Sequence, residues 1–584
     1  MSKDEKLCIL LFDEISITPH YDYNRKRDVI TGFINNGRQT TRNIANHALV
    51  FMLRGFVKNY KQPLAYTFCR GVTSKGDLKN LIKNIITELQ QCGLNVLATV
   101  CDQGTTNVSA INELVGETRI NYIRRNQNFR HQIFEINGKE IIPLFDPPHL
   151  IKGIRNNLLT KDLKYVLEDE VKIAKWDHLI KLHEENPSYK GIRLMKNLTE
   201  AHIDPKKIPK MKVKIATQIF SRTVATSMGY LADKRILPVE CKNTADVLLF
   251  FDELFDSMNG SHDNSKKRSG KLLLRAVTPK SDHSKVWARA KKVLKSMKFI
   301  SKEGREGSVP SVTNWLRTLE NTEYLKTKLF HEYNVKSFWM RHLNQDPLEN
   351  FFGCIRSHGY RNTSPTPSSF ESAFASLIIN NLSSNHSVGS NCEEDDCKVF
   401  QSMDCLLKKE DLTKITEIND IDIDDINCEI TDFTEKKGNT KIISQLSYVT
   451  GYVLKQAKQN VFKNCKNCKQ FLFNNNEEEL NEYIRIREFS SFKSLTYPSE
   501  NTIKLFSAIQ DVVTFILKRK SEMPRIKSYM KTILYTVVDF NFLTCPDHRK
   551  ELIDFLFDFC SRFFINNWCR DVNLLLNGTR TENA

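Results

Sequence analysis

Over the first 160 residues, apolar runs of strand length alternate with a stretch of helical spacing. "KLCILLFDEIS" (6–16) opens with unbroken apolar residues that read as a buried strand, and "DVITGFI" (28–34) and "QPLAYTFCRG" (62–71) read as shorter strands. Between 76 and 92, Leu78, Leu81, Ile82, Ile85, Ile86 and Leu89 recur at spacings of three and four, the mark of an amphipathic helix. "LNVLATVCD" (94–102) and "EIIPLFD" (140–146) are two further buried strands, and "HLIKGIRNNLL" (149–159) is helical. This alternation predicts an α/β unit.

Residues 160–335 read as mostly helical and Lys-rich, with "KVWARAKKVLKSMKFI" (285–300) the most basic helix and "MNGSHDNSKKRSG" (258–270) a polar loop. A helix begins at "DPLENFFG" (346–353). The region 386–442 has the composition of an exposed acidic linker. From 443 the pattern is helical again and closes on the Phe-rich "LIDFLFDFCSRFFINNW" (552–568). There is no internal repeat and no heptad run.

Composition narrows the function class. The 584 residues exceed what one core supports, and 40% hydrophobic residues with 35 Phe exclude a disordered chain. A net charge of +17 points to a polyanionic partner, most simply nucleic acid. The 15 cysteines are an odd number, the first residues lack a secretory pattern, and no apolar run approaches about 18 residues. A membrane span is therefore not expected, and the cysteines are read as reduced thiols or metal ligands in a cytosolic or nuclear protein.

The acids in the strands are the first candidate chemistry. A carboxylate is costly to bury unless it is paired or binds a metal. Asp13 lies on the first strand and Asp102 ends another, so as sheet neighbours they would face one crevice. They would repel each other unless a cation sat between them. Hard oxygen donors suit Mg²⁺ or Mn²⁺. Glu349, in the first turns of its helix with Phe351 and Phe352 to anchor it, is the candidate third ligand of a two-metal site. In such a site one ion activates the attacking oxygen and the other stabilises the leaving oxygen. Glu14 alternates to the opposite face and is read as structural. Asp146 and His149, in "DPPH", are read as a hydrogen-bonded scaffold rather than a metal pair, and Arg155 as a phosphate contact or a solvated residue. "NCKNCK" and "TCPDH" place Cys465, Cys468, Cys545 and His548 in a C-x-x-C and a C-x-x-H, two knuckles able to supply four ligands to one Zn²⁺. Cys392 and Cys397 are read as ordinary thiols.

"LLFDEISI", "TVCDQGTTN", "FDPPHLIKGIRNNLL" and "DPLENFFGCIRSHGYRNTSPTPSSFESAF", in that order, resemble the P-element transposase family, the THAP-domain DNA transposases. The resemblance implies a ribonuclease-H-like α/β catalytic domain in two parts, 1–159 and 336–385, interrupted by a helical GTP-binding insertion at 160–335. The acidic linker, 386–442, and a helical C-terminal domain, 443–584, would follow. It implies that Asp13, Asp102 and Glu349 are the metal-binding catalytic acids. They would serve hydrolysis of a phosphodiester at a transposon end and attack of the freed 3′-hydroxyl on target DNA. It also implies GTP, placed by Asp256, Asn259 and Asp346 with a lysine on the phosphates, Lys196, Lys210 or Lys212; no P-loop is present. The expected partners are double-stranded DNA, GTP and a second copy of the chain, and the expected location is nuclear, with "KKRSGK" a weak import candidate. The family's N-terminal THAP zinc finger is absent from this sequence. The alternative is therefore a domesticated, catalytically idle DNA-binding or protein-interaction protein.

Overall fold

The computed structural model describes residues 5–37, 39–58, 60–185, 195, 198–262, 270–359, 362–379, 398–399, 433–474, 479–487 and 495–578. Most of the expected acidic linker, with Cys392 and Cys397, lies outside them, as do Lys196 and most of "KKRSGK". The chain divides into two compact units. The first comprises Met1–Ser16, His47–Pro365 and Phe370–Lys408; the second comprises Ile17–Asn46, Thr366–Ser369 and Lys409–Ala584.

In the first unit, β1 (Leu7–Ser16), β2 (His47–Gly55) and β3 (Tyr60–Cys69) form an antiparallel ribbon. After α1 (Lys75–Gln91) come β4 (Asn95–Cys101), α2 (Thr105–Arg124), the short β5 (Phe134–Ile136) and β6 (Lys139–Phe145). The strand order in this unit is β3–β2–β1–β4–β6–β5, with β4 parallel to both β1 and β6. Helices enclose both faces, so β1 and β4 carry continuous rather than alternating apolar residues. Burial of Phe12 and Phe51, both fully enclosed with rings 5.7 Å apart, is worth about 1.5–3 kcal/mol each.

The two longest elements of this unit that escaped the sequence reading are a strand and a helix. "HALVFMLRG" is β2, buried along nearly its whole length. Being apolar on both faces, it has no period by which to tell strand from helix. Residues 105–124 are α2, whose amphipathic stripe is too faint to mark it. In α1 the predicted stripe is present, with Leu78, Ile82, Ile86 and Leu89 buried and Ser74 capping through Asp77 N.

α3 (Pro147–Leu158) leads into the region read as mostly helical. It also holds a four-stranded antiparallel sheet of β7 (Asp162–Leu167), β8 (Glu170–Ala174), β9 (Lys298–Ile300) and β10 (Glu306–Gly307). The basic run at 285–300 is thus a helix only to Ser296, after which "KFI" pairs with β7. The longer helices are α4 (Trp176–Glu184), α5 (Val213–Ile219), α6 (Arg222–Asp233), α7 (Cys241–Met258), α8 (His283–Ser296) and α9 (Pro310–His331). Trp287 is fully buried on α8 and donates to Ser257 Oγ at 3.1 Å. α9 returns to the first sheet: Asn321 Nδ2 donates to the Pro143 carbonyl at 2.7 Å, and Thr318 Oγ1 accepts from Phe145 N. The chain then enters α10 (Asp346–Ser357) and α11 (Pro367–Ile379), which meet through Phe351 and Phe374, 5.6 Å apart.

The second unit is a helical core of α12 (Thr440–Ala457), α13 (Lys466–Leu472), α14 (Glu500–Lys520), α15 (Ile526–Val537) and α16 (Arg549–Leu576). It also holds an early hairpin, Asp22–Asn24 with Val29–Thr31. Asp28, at φ 52°, accepts from Lys527 N at 3.0 Å and Ser528 N at 3.1 Å, which fastens the hairpin tip to the start of α15.

Candidate active site

The parallel register sets the geometry of the acids. Leu11 is level with Val100 and Phe145 with Cys101, so Asp13, Asp102 and Asp146 stand level at the crevice edge of three adjacent strands. Their bonds then separate them. Asp13 Oδ1 accepts from Glu14 N at 2.8 Å. Asp102 Oδ1 accepts from Gly104 N at 2.9 Å and Asn107 Nδ2 at 2.6 Å, a turn that fixes the carboxylate. A Cβ at Gly104 would lie 2.9 Å from that same oxygen, so the close approach requires glycine. Asp146 is buried and wholly occupied: it caps α3 through His149 N, bonds His149 Nδ1 at 2.6 Å and accepts from Gln345 N at 2.8 Å.

Glu349 arrives on the first turn of α10, where the helix dipole favours a carboxylate. The start of α10 is keyed to the sheet by Gln345, whose side chain donates to the Phe12 carbonyl at 2.8 Å. Glu349 Oε1 lies 3.7 Å from His149 Nε2, each side chain 16% exposed. Loss of water around Asp13, with Asp102 and Glu349 beside it, pushes its carboxyl up to about 8, against the pull of His149. Burial opposes a charge on His149, but the bond to Asp146 prevails and raises the imidazole to about 9. Asp146 and His149 therefore form a hydrogen-bonded scaffold that reaches Glu349. Arg356, two turns along α10 from Glu349, feels both Glu349 and Asp13, while its partial burial lowers its pKa. Sequence reading missed it, although a spacing of seven from Glu349 places it on the same helix face. Glu14, on the other face of β1, bonds Thr73 N and Oγ1 at 2.9 and 3.0 Å.

On the far side of the α10 start is a second polar cluster. Asp346 accepts from Arg341 through Nε at 3.0 Å and Nη2 at 2.9 Å, and from Asn344 Nδ2 at 2.8 Å. Asn344 Nδ2 also reaches Asn259 Oδ1 at 3.4 Å, which brings Asn259 and Asp346 together. Asp256 instead pairs with Lys271 at 2.5 Å, a lysine it shares with Asp252. Arg54, 2% exposed, donates to the Arg341 carbonyl and Asn344 Oδ1.

Three family models match in chain order: "TNP-like, RNase H N-terminal domain" over 1–115, "TNP-like, GTP-binding insertion domain" over 148–271 and "TNP-like, RNase H C-terminal domain" over 342–375. Among curated proteins, the "Transposable element P transposase" of Drosophila melanogaster is 25% identical over 459 residues, 78% of this chain and 56% of that protein. The human "DNA transposase THAP9" is 25% identical over 391 residues, 63% of this chain and 40% of that protein. Together these matches support a member of the P-element transposase family. The chain spans 56% and 40% of the lengths of these two relatives. Its fold is similar to that of the solved "Drosophila P element transposase strand transfer complex", with a TM-score of 0.52 and 22% identity over 65% of this chain and 78% of that one. The α/β fold is thus ribonuclease-H-like, with a GTP-binding-type insertion between its two parts.

In this chain, Arg155 is not solvated. It is fully buried on α3, its Nη2 donates to the Lys210 carbonyl at 2.7 Å, and burial lowers its pKa to about 10. Cationic residues on a helix read as surface by default, and no period marks one that turns inward. Far along the sequence, Cys465, Cys468, Cys545 and His548 converge, each offering a ligand atom within 4.8 Å of the others. No helix among the described residues is long and apolar enough to cross a membrane.

Proposed function

We propose that this chain is a transposase core that cuts and joins DNA by metal-assisted phosphoryl transfer, with Asp13, Asp102 and Glu349 as the divalent-ion ligands. What supports it is one crevice at which Asp102 and Glu349 both act on the charge of Asp13. There, lost water and mutual repulsion drive Asp13 up to about 8. The donor set fits: hard oxygens, half-buried, on rigid strand ends and a helix start, suit Mg²⁺ or Mn²⁺. A pair of such ions, when bound, supplies Lewis acidity to the attacking and leaving oxygens. The chain's own residues do the positioning. Asn107 and the Gly104 N–H hold Asp102, Gln345 sets the pitch of α10, and the His149–Asp146 pair steadies Glu349. Arg356 is placed to meet a phosphate on the face that Glu349 presents.

GTP enters this reading through the insertion. Asn259 and Asp346 meet at one place, but Asp256 and Asp346 are each already paired with a cation. A guanine read by either carboxylate would exchange that cation for its own N–H donors. The nucleotide takes no part in bond making or breaking here. Double-stranded DNA as partner and the nucleus as location follow from the same reading, with the net charge of +17 in support.

The test is Mg²⁺- or Mn²⁺-dependent nicking and strand transfer on labelled DNA, with Asp13→Asn and Glu349→Gln beside wild type. We expect activity in wild type and a loss of at least about a hundredfold in each variant. Wild type that binds DNA yet never cuts would replace this reading with the idle, domesticated one.

A further inference from the structure

We infer that Cys465, Cys468, Cys545 and His548 form a structural tetrahedral zinc site that pins the start of α13 to the start of α16. With Zn–S of about 2.3 Å and Zn–N of about 2.0–2.1 Å, a tetrahedral site has S···S edges of about 3.8 Å and S···N edges of about 3.6 Å. The Cys465 and Cys545 sulfurs are 3.8 Å apart, and Cys545 Sγ is 3.6 Å from His548 Nδ1. A disulfide would bring two sulfurs to about 2.05 Å. All four ligand atoms fall within 4.8 Å of one another, and no other His/Cys/Asp/Glu group among the described residues does so.

The surroundings are those of a metal knuckle. Both ligand pairs sit in turns at helix starts: Cys465 is the residue before α13 and His548 the residue before α16. Backbone N–H groups of Asp547 and His548 point at Cys545 Sγ, a fixed positive lining for a thiolate. Cys468 and Cys545 are 0% and 3% exposed, packed into the helical core beside Phe462, Leu472 and Leu543. Three sulfurs and an imidazole gathered there have few partners besides one another, and a soft divalent cation satisfies all four at once. Three Cys and one His close the coordination shell, which leaves no open position for catalysis. Because Cys465 and Cys545 are 80 residues apart, the cation would close a long loop and so constrain the unfolded chain.

DNA cleavage plays no part in the test, so this inference fails or stands apart from the transposase reading. The full chain, purified under reducing conditions without chelator, is assayed for metal by mass spectrometry. It is then exchanged with Co²⁺ and examined for sulfur-to-cobalt charge-transfer and tetrahedral d–d bands. We expect one zinc per chain, lost in Cys468→Ser and His548→Ala and kept in Cys92→Ser, which alters an exposed thiol outside the cluster. If the first two variants do not fold, His548→Cys decides: a four-thiolate site keeps its zinc and strengthens the charge-transfer band. Wild type that takes up no stoichiometric zinc, zinc indifferent to both substitutions, or a Cys465–Cys545 disulfide in the fresh protein would each overturn the inference.

Discussion

Two clusters of charge meet at the start of α10, and they are built in opposite ways. Around Asp13 the chain gathers three carboxylates, of which Glu349 meets His149 and both Asp13 and Glu349 feel Arg356. Around Asp346 it sets buried Arg341 on the carboxylate, with Asn344 donating to the same carboxylate and accepting from buried Arg54. The second cluster supplies its own counter-ions and resembles finished architecture. The first leaves Asp13 poorly compensated, as expected of a group whose partner arrives with a ligand. A difference in charge compensation thus separates the cluster around Asp346 from the one proposed to hold metal.

The contrast can be broken most sharply at Asp346. Asp346→Asn would leave Arg341 buried and uncompensated, so we expect a loss of about 3–5 kcal/mol in chemical denaturation. A loss under 1 kcal/mol would show that the arginine cluster is not self-neutralised. Asp13→Asn should act in the other direction. Without divalent ions it should gain about 0.5–2 kcal/mol while DNA cleavage is lost, and added Mn²⁺ should raise the Tm of wild type but not of the variant. A destabilised Asp13→Asn would make that acid architectural after all.

A pH series sharpens the comparison from the cationic side. Burial, with Arg54 nearby, lowers His342 to about 3, and its Nδ1 bonds the Phe56 carbonyl at 2.7 Å. The unfolded imidazole takes up its proton near pH 6.5, while the folded one refuses it until about 3. Its contribution is therefore complete above about 6.5 and is lost as pH falls toward 3. Replacing it by His342→Gln should flatten the fall of Tm between pH 6 and 4; an unchanged slope would contradict the assignment. The smallest effect is expected at Glu14→Gln, about 1 kcal/mol from the weakened bonds to Thr73, with cleavage retained.

What the sequence disclosed follows from what leaves a periodic or positional mark. Asp13 and Asp102 stood out as candidates because acids interrupt or end apolar runs, and Glu349 because it opens a helix. The cysteine knuckles were visible from spacing alone. β2 was not, since a strand buried on both faces alternates nothing. Gln345 was invisible for a different reason: a neutral amide before a helix looks like any cap, and its role exists only through the Phe12 carbonyl. Arg155 and Arg341 were hidden because whether a cation faces inward is decided by packing among elements distant in sequence.

The bond between Gln345 and Asp146 joins residues 199 positions apart. At about 5–20 residues per second, a ribosome takes roughly 10–40 s to travel between them. For that interval a nascent chain would hold its strand-end aspartates without Glu349, and the proposed site would stay incomplete. The interruption of the domain thus acts as a timer. The proposed metal site is withheld until the insertion has been made and α10 has docked.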